Sequence, residues 1–195
     1  MNYVHLYEKI PLGTAGLCMG TALVLAHLSA LIWPRGVQGL LAKACASERA
    51  GQVLLTVDFI WIALLLWDSP SNPLRMELFD FEMARRYLLW VCPVMCISLC
   101  VYSKQNLIGR AVGLFLLLLG TVFLSAAFLK APSTRILIPL WWYPVLTVAL
   151  LWVPMPYLMR DWVDKLGRHL TLMRALAVCG LVYGAALFLC ALLYW

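Results

Sequence analysis

Six long apolar runs follow one another along the chain, and the polar residues are confined largely to the short stretches between them. A helix needs roughly 20 mainly apolar residues to cross a hydrocarbon core about 30 Å thick, and each run is close to that length. The pattern predicts spans at Leu12–Trp33, Gly51–Trp67, Tyr87–Tyr102, Ala111–Leu129, Ile136–Val153 and Ala175–Trp195, the third being the shortest. The expected fold class is all-α: a polytopic integral membrane protein, one transmembrane domain over residues 1–195, built as a six-transmembrane-helix bundle. The first run is expected to be retained, because its leader sets only Lys9 against Glu8 and the run is too long for the apolar centre of a signal peptide.

Three connections carry helical periodicity. Val37, Leu40, Leu41 and Ala44 recur at i, i+3, i+4 and i+7, with Gln38, Lys43 and Glu48 off that stripe. Met76, Phe79, Met83 and Tyr87 repeat the idea between spans two and three, and Val163, Leu166, Leu170 and Met173 between spans five and six. These are expected to be short interfacial amphipathic helices, because the charges opposite each stripe need water.

Composition strengthens the membrane reading. Of 195 residues 64% are hydrophobic and 12% charged, and the mean hydropathy is +0.89. Fifteen Lys+Arg and nine Asp+Glu cannot cover a soluble fold of this size. The net charge of +6 does not suggest nucleic acid, since the basic residues fall singly between apolar runs. They report topology instead. Arg35, Lys43, Arg49, Lys104, Arg110, Arg160, Lys165, Arg168 and Arg174 fall on one side, and Lys9, Arg75, Arg85, Arg86, Lys130 and Arg135 on the other. Nine against six puts both termini on the non-cytoplasmic side, and a bacterial-type inner (plasma) membrane is the expected location.

Asp58 is the one acidic residue inside a predicted span, and an ionisable group in hydrocarbon must be paired, protonated or hydrated. Helical rise puts it roughly 12 Å deep, and puts His27 roughly 9 Å from the same membrane face. The expectation is a His27–Asp58 pair between antiparallel neighbours, serving either as a proton relay or substrate anchor or as a polar clasp. A second candidate lies beyond span five, where Arg160, Asp161, Arg168, His169 and Arg174 form an interfacial charge cluster. It reads either as a phosphate head-group site or as a positive-inside anchor. Glu77, Asp80 and Glu82 with Arg85 and Arg86 read as the solvated face of a surface helix.

Other features favour packing over chemistry. Cys92, Cys96 and Cys100 stack on one helical face, but no second Cys or His group at metal-ligand spacing accompanies them. A bis-histidine haem lacks its second ligand, since His5 and His169 fall near or outside the interface. Gly16/Gly20, Gly109/Gly113 and Gly180/Gly184 match GxxxG and predict close helix approach in spans one, four and six. Pro93, Pro139 and Pro144 are expected to kink their spans. Spans two and five end alike, Leu65-Leu66-Trp67 and Leu150-Leu151-Trp152, although Leu, Trp and Pro at a span exit are too ordinary to establish an inverted repeat.

No Walker loop, GxSxG elbow or HExxH helix occurs. The leading expectation is thus a non-catalytic accessory, assembly or structural membrane component, with no catalytic, metal or cofactor-binding residue and no cofactor assigned. The alternatives are a small-solute or proton-coupled transporter using His27 and Asp58, and a membrane-embedded lipid-modifying enzyme using the Arg160 cluster. Expected partners are membrane lipids, other membrane subunits or a second copy through GxxxG faces, and no nucleic acid.

Overall fold

The computed structural model describes residues 6–69, 72–76, 78–103 and 106–195. It is all-helical, 85% helix, with no strand among the described residues. The helices are α1 (Leu12–Ile32), α2 (Pro34–Ala46), α3 (Glu48–Leu66), α4 (Arg85–Tyr102), α5 (Leu107–Ala127), α6 (Leu137–Trp152), α7 (Tyr157–Arg168) and α8 (Leu170–Leu193). Six are long and apolar enough to cross a membrane: α1, α3, α5 and α8 alone, and α4 and α6 together with the 3-10 turns that lead into them. Short α2 and α7 pack on each other at one end of the bundle. Helices α1, α4 and α6 run toward that end and α3, α5 and α8 away from it.

Local chemistry explains most boundaries. Pro34 opens α2 at its first position, where its missing N–H is one of the unbonded donors anyway. Ser47 caps α3, its hydroxyl oxygen accepting the Ala50 N–H at 3.2 Å. Asn106, left-handed at φ 60°, turns the chain sharply into α5. Between α7 and α8 only His169 leaves the helical conformation.

Helix α5 is the centre, with α3 on one side and α6 on the other, and the most extensive contact in the molecule joins α1 to α8. Glycine makes these approaches possible. A Cβ on Gly20 would lie 2.8 Å from the Phe188 backbone nitrogen, and one on Gly184 would lie 2.8 Å from Leu23 Cβ and 3.0 Å from the Val24 nitrogen. On α5, Gly109 meets the Pro156 carbonyl and Gly113 that of Ala149. All three GxxxG pairs thus make close approaches within the chain. The largest core cluster joins α1, α5, α6 and α8 through Leu12, Met19, Ala126, Ile138, Trp142 and Leu187.

Three expectations are corrected here. The stripe from Met76 to Tyr87 is no surface α-helix: a 3-10 helix covers Phe79–Ala84, and Tyr87 already belongs to α4. The Arg85 guanidinium there bonds the carbonyls of Leu66, at the end of α3, and of Met76. The stripe after span five is divided, since α7 ends at Arg168 while Leu170 and Met173 open the last long helix. Pro139 falls in the first turn of α6, where no backbone bond is lost, whereas Pro93 and Pro144 lie inside α4 and α6.

Candidate functional site

His27 and Asp58 do not meet. Helix α1 packs along α8, and α3 packs along α5. The imidazole of His27 sits in the notch left by Gly180, where a Cβ would fall 2.1 Å from Nε2, and it meets the edge of Trp141 at 6.2 Å. Its Nδ1 lies 2.7 Å from the Leu23 carbonyl oxygen. A carbonyl can only accept, so Nδ1 carries the proton and donates, leaving Nε2 as the acceptor in the neutral ring.

Asp58 is 0% exposed, one turn beyond Leu55 on the α3 face turned toward α5. Neither carboxylate oxygen has a hydrogen-bond partner among the described residues.

The second candidate cluster is likewise divided. Arg160, in the first turn of α7, lines a cleft of about 380 Å³ with Cys45, Ser47, Glu48, Leu107 and Asp164. Asp161, Arg168, His169 and Arg174 are exposed and do not line it. Asp161 forms no ion pair among the described residues. Burial raises the Cys45 thiol pKa; Asp164 adds to that rise and Arg160 opposes it. Cys92 is buried on α4 and Cys96 and Cys100 half-buried, and no metal-ligand cluster occurs among the described residues. His5 lies outside the described residues.

At the opposite end the structure builds a site that sequence reasoning took for a solvated face. Arg85 is 3% exposed. Its Nε donates to Glu82 Oε2 at 2.7 Å and one terminal nitrogen to Glu82 Oε1 at 2.7 Å, a bidentate fork. The other terminal nitrogen donates to the Leu66 carbonyl at 3.3 Å, and the Met76 carbonyl is a further acceptor. Arg75 bridges Asp68 at 3.0 Å and approaches Glu82 at 3.8 Å. The cluster thus ties the end of α3, the segment after it and the start of α4 into one unit. Asn72 adds to the same seam, donating from Nδ2 to the Leu64 carbonyl at 2.6 Å.

Two concavities adjoin this cluster. A polar cleft of about 580 Å³ is lined by Trp67, Asp68, Glu82, Arg85, Arg86 and Tyr87. An apolar groove of about 630 Å³ continues from it between α3 and α4, sharing Trp67, Arg86 and Leu89 and running on to Thr56 and Ile97. The signal in the sequence was faint: adjacent arginines where a span begins, and an α4 without glycine, which cannot approach α3 closely. The chain matches no known protein family, no curated protein and no solved structure.

Proposed function

We propose that the chain is a multi-pass integral membrane protein of a bacterial-type inner membrane, termini outside, that acts as an accessory or assembly component rather than as an enzyme. Charge supports the orientation, since among the described residues the α2–α7 end gathers eight of the fourteen Lys and Arg. The observation that carries the assembly reading is α4. Its one substantial helix neighbour is α3. On the face turned away from α3, Tyr87, Val91, Val94, Ser98 and Val101 recur at alternating steps of four and three. That is the spacing of a helix–helix seam. Four of the five are exposed. The Ser98 hydroxyl has no partner among the described residues, and serine at such a seam hydrogen-bonds across helices. The transport reading rested on a His27–Asp58 contact, which this fold does not make.

Photo-crosslinking in native membranes tests the reading. A benzophenone amino acid at Val94 is expected to give one discrete protein adduct that weakens with Ser98→Ile, while the same probe at Val182, equally exposed on α8, gives lipid adducts alone. Lipid adducts alone at both positions would remove the assembly role.

A further inference from the structure

We infer that the polar cleft and the α3–α4 groove together form one binding site for an anionic glycerophospholipid, its phosphate at Arg86 and one acyl chain in the groove. The inference rests on the membrane-spanning reading but not on the assembly role. Its starting point is the continuity of two concavities of opposite character. Half of the residues lining the cleft are charged, Asp68, Glu82, Arg85 and Arg86, while the groove presents Phe59, Ile60, Ala63, Trp90, Pro93 and Ile97. An amphiphile is the ligand class that needs both environments at once.

Length agrees with this occupant. From Trp67 back to Thr56 on α3, and from Arg86 on to Ile97 on α4, the groove follows helical rise for about 16 Å. Half of a hydrocarbon core about 30 Å thick is about 15 Å. The groove therefore runs from the interface to the depth where the chains of one leaflet end. Trp67 stands at its mouth, the level amphipathic rings prefer, and Trp90 lines it about one turn further in.

Charge selects the head group. Arg75 and Arg85 pair with Asp68 and Glu82, and Arg86 lines the same cleft beside them. Arg75 and Arg85 hold both carboxylates. Arg86 is exposed, makes no ion pair among the described residues, and is the cation common to cleft and groove. A lipid with a net negative charge balances it; a zwitterionic lipid brings its own cation into a cleft that already holds paired ones.

The groove also has a cause in the sequence. Pro93 has no backbone N–H to donate within α4, and it lines the groove together with the small side chain of Ala63. In a bilayer, a space of this size along a helix pair is filled by a lipid chain.

Native mass spectrometry of the delipidated full-length protein tests the assignment, with phosphatidylglycerol and phosphatidylcholine of matched chains added in turn. Wild type is expected to retain phosphatidylglycerol preferentially. Arg86→Gln is expected to reduce that preference about fivefold, the effect of one basic residue at a membrane surface. Ala63→Phe is expected to fill the groove and lose both lipids; Ile97→Trp at its open lip does the same with less strain, should Ala63→Phe fail to fold. Arg168→Gln at the far end changes nothing. Glycerol 3-phosphate in large excess leaves the lipid bound, because the chain supplies much of the affinity; displacement by it would mean a soluble phosphate site and overturn the inference. Unchanged preference in Arg86→Gln, or unchanged binding in a folded groove-filling variant, would overturn it as well. A chain that stays soluble and folded without detergent would instead refute the membrane reading beneath it.

Discussion

Gly20→Ala and Gly39→Ala make the same chemical change and should move stability in opposite directions. At Gly39, in the middle of α2, an added Cβ meets nothing within 4 Å. Replacing glycine by alanine in a helix then gains about 0.8–1 kcal/mol. At Gly20 the same methyl would lie 2.8 Å from the Phe188 nitrogen and 3.0 Å from its Cα, and both are backbone atoms that cannot rotate aside. Restoring an ordinary contact of 3.4 Å requires the helices to part by 3.4 − 2.8 = 0.6 Å. A gap of about 0.5–1 Å forfeits roughly a quarter to a half of each van der Waals contact, and each contact is worth about 0.1–0.2 kcal/mol. Spread over the turns where α1 and α8 meet, the loss is about 1–3 kcal/mol, the range found for overpacked interiors. The propensity gain is common to both variants, so the difference between them isolates the packing cost and should itself be about 1–3 kcal/mol. Unfolding in mixed micelles of rising SDS fraction, followed by the fluorescence of the nine tryptophans, measures it. Equal stabilisation by both substitutions would refute the close α1–α8 packing.

Two further predictions concern the titratable groups. Asp58→Val, close in size and without the unpartnered polar atoms, should raise stability by about 1–3 kcal/mol, and its effect should add to that of His27→Ala within about 0.5 kcal/mol. A coupling above about 1 kcal/mol in that double-mutant cycle would mean that the two side chains meet after all. Because the Cys45 thiol pKa is raised, the reactive thiolate fraction at neutral pH is small and alkylation should accelerate with rising pH. With the other six cysteines replaced by serine, Asp164→Asn should speed modification at fixed pH and Arg160→Gln should slow it; identical rates in the two variants would contradict the arrangement of charges around the thiol.

Element existence was highly legible because apolar length alone decides it. The run expected at Leu12–Trp33 is α1, ending at Ile32, and that at Tyr87–Tyr102 is α4, starting at Arg85. Starts were read late wherever polar residues belong to the helix: α3 begins at Glu48 and α8 at Leu170, before the apolar runs themselves. Helix neighbours were not legible from order in the chain. The matched depths of His27 and Asp58 presume that consecutive spans pack together, but α2 carries the chain about 20 Å sideways by helical rise, twice the usual helix separation of 8–10 Å. The better signal was the pair of GxxxG faces on α1 and α8, one of which receives His27 at Gly180. Arg85 was misread because adjacent arginines near a span end look alike in sequence. Only the fold distinguishes Arg85, turned inward to the Leu66 carbonyl, from Arg86, which is exposed and makes no ion pair among the described residues.

The α1–α8 contact also dictates an order of biogenesis. Helix α1 finds its main partner only when α8 arrives, so the surface around Gly16 and Gly20 waits unfilled while the helices between them are inserted. The α3–α5 and α5–α6 contacts form between elements closer in sequence and can assemble meanwhile. A nascent chain halted before α8 would therefore hold a nearly complete bundle beside an orphaned α1, a state that membrane quality control can recognise and that a free α8 segment, supplied separately, should be able to rescue.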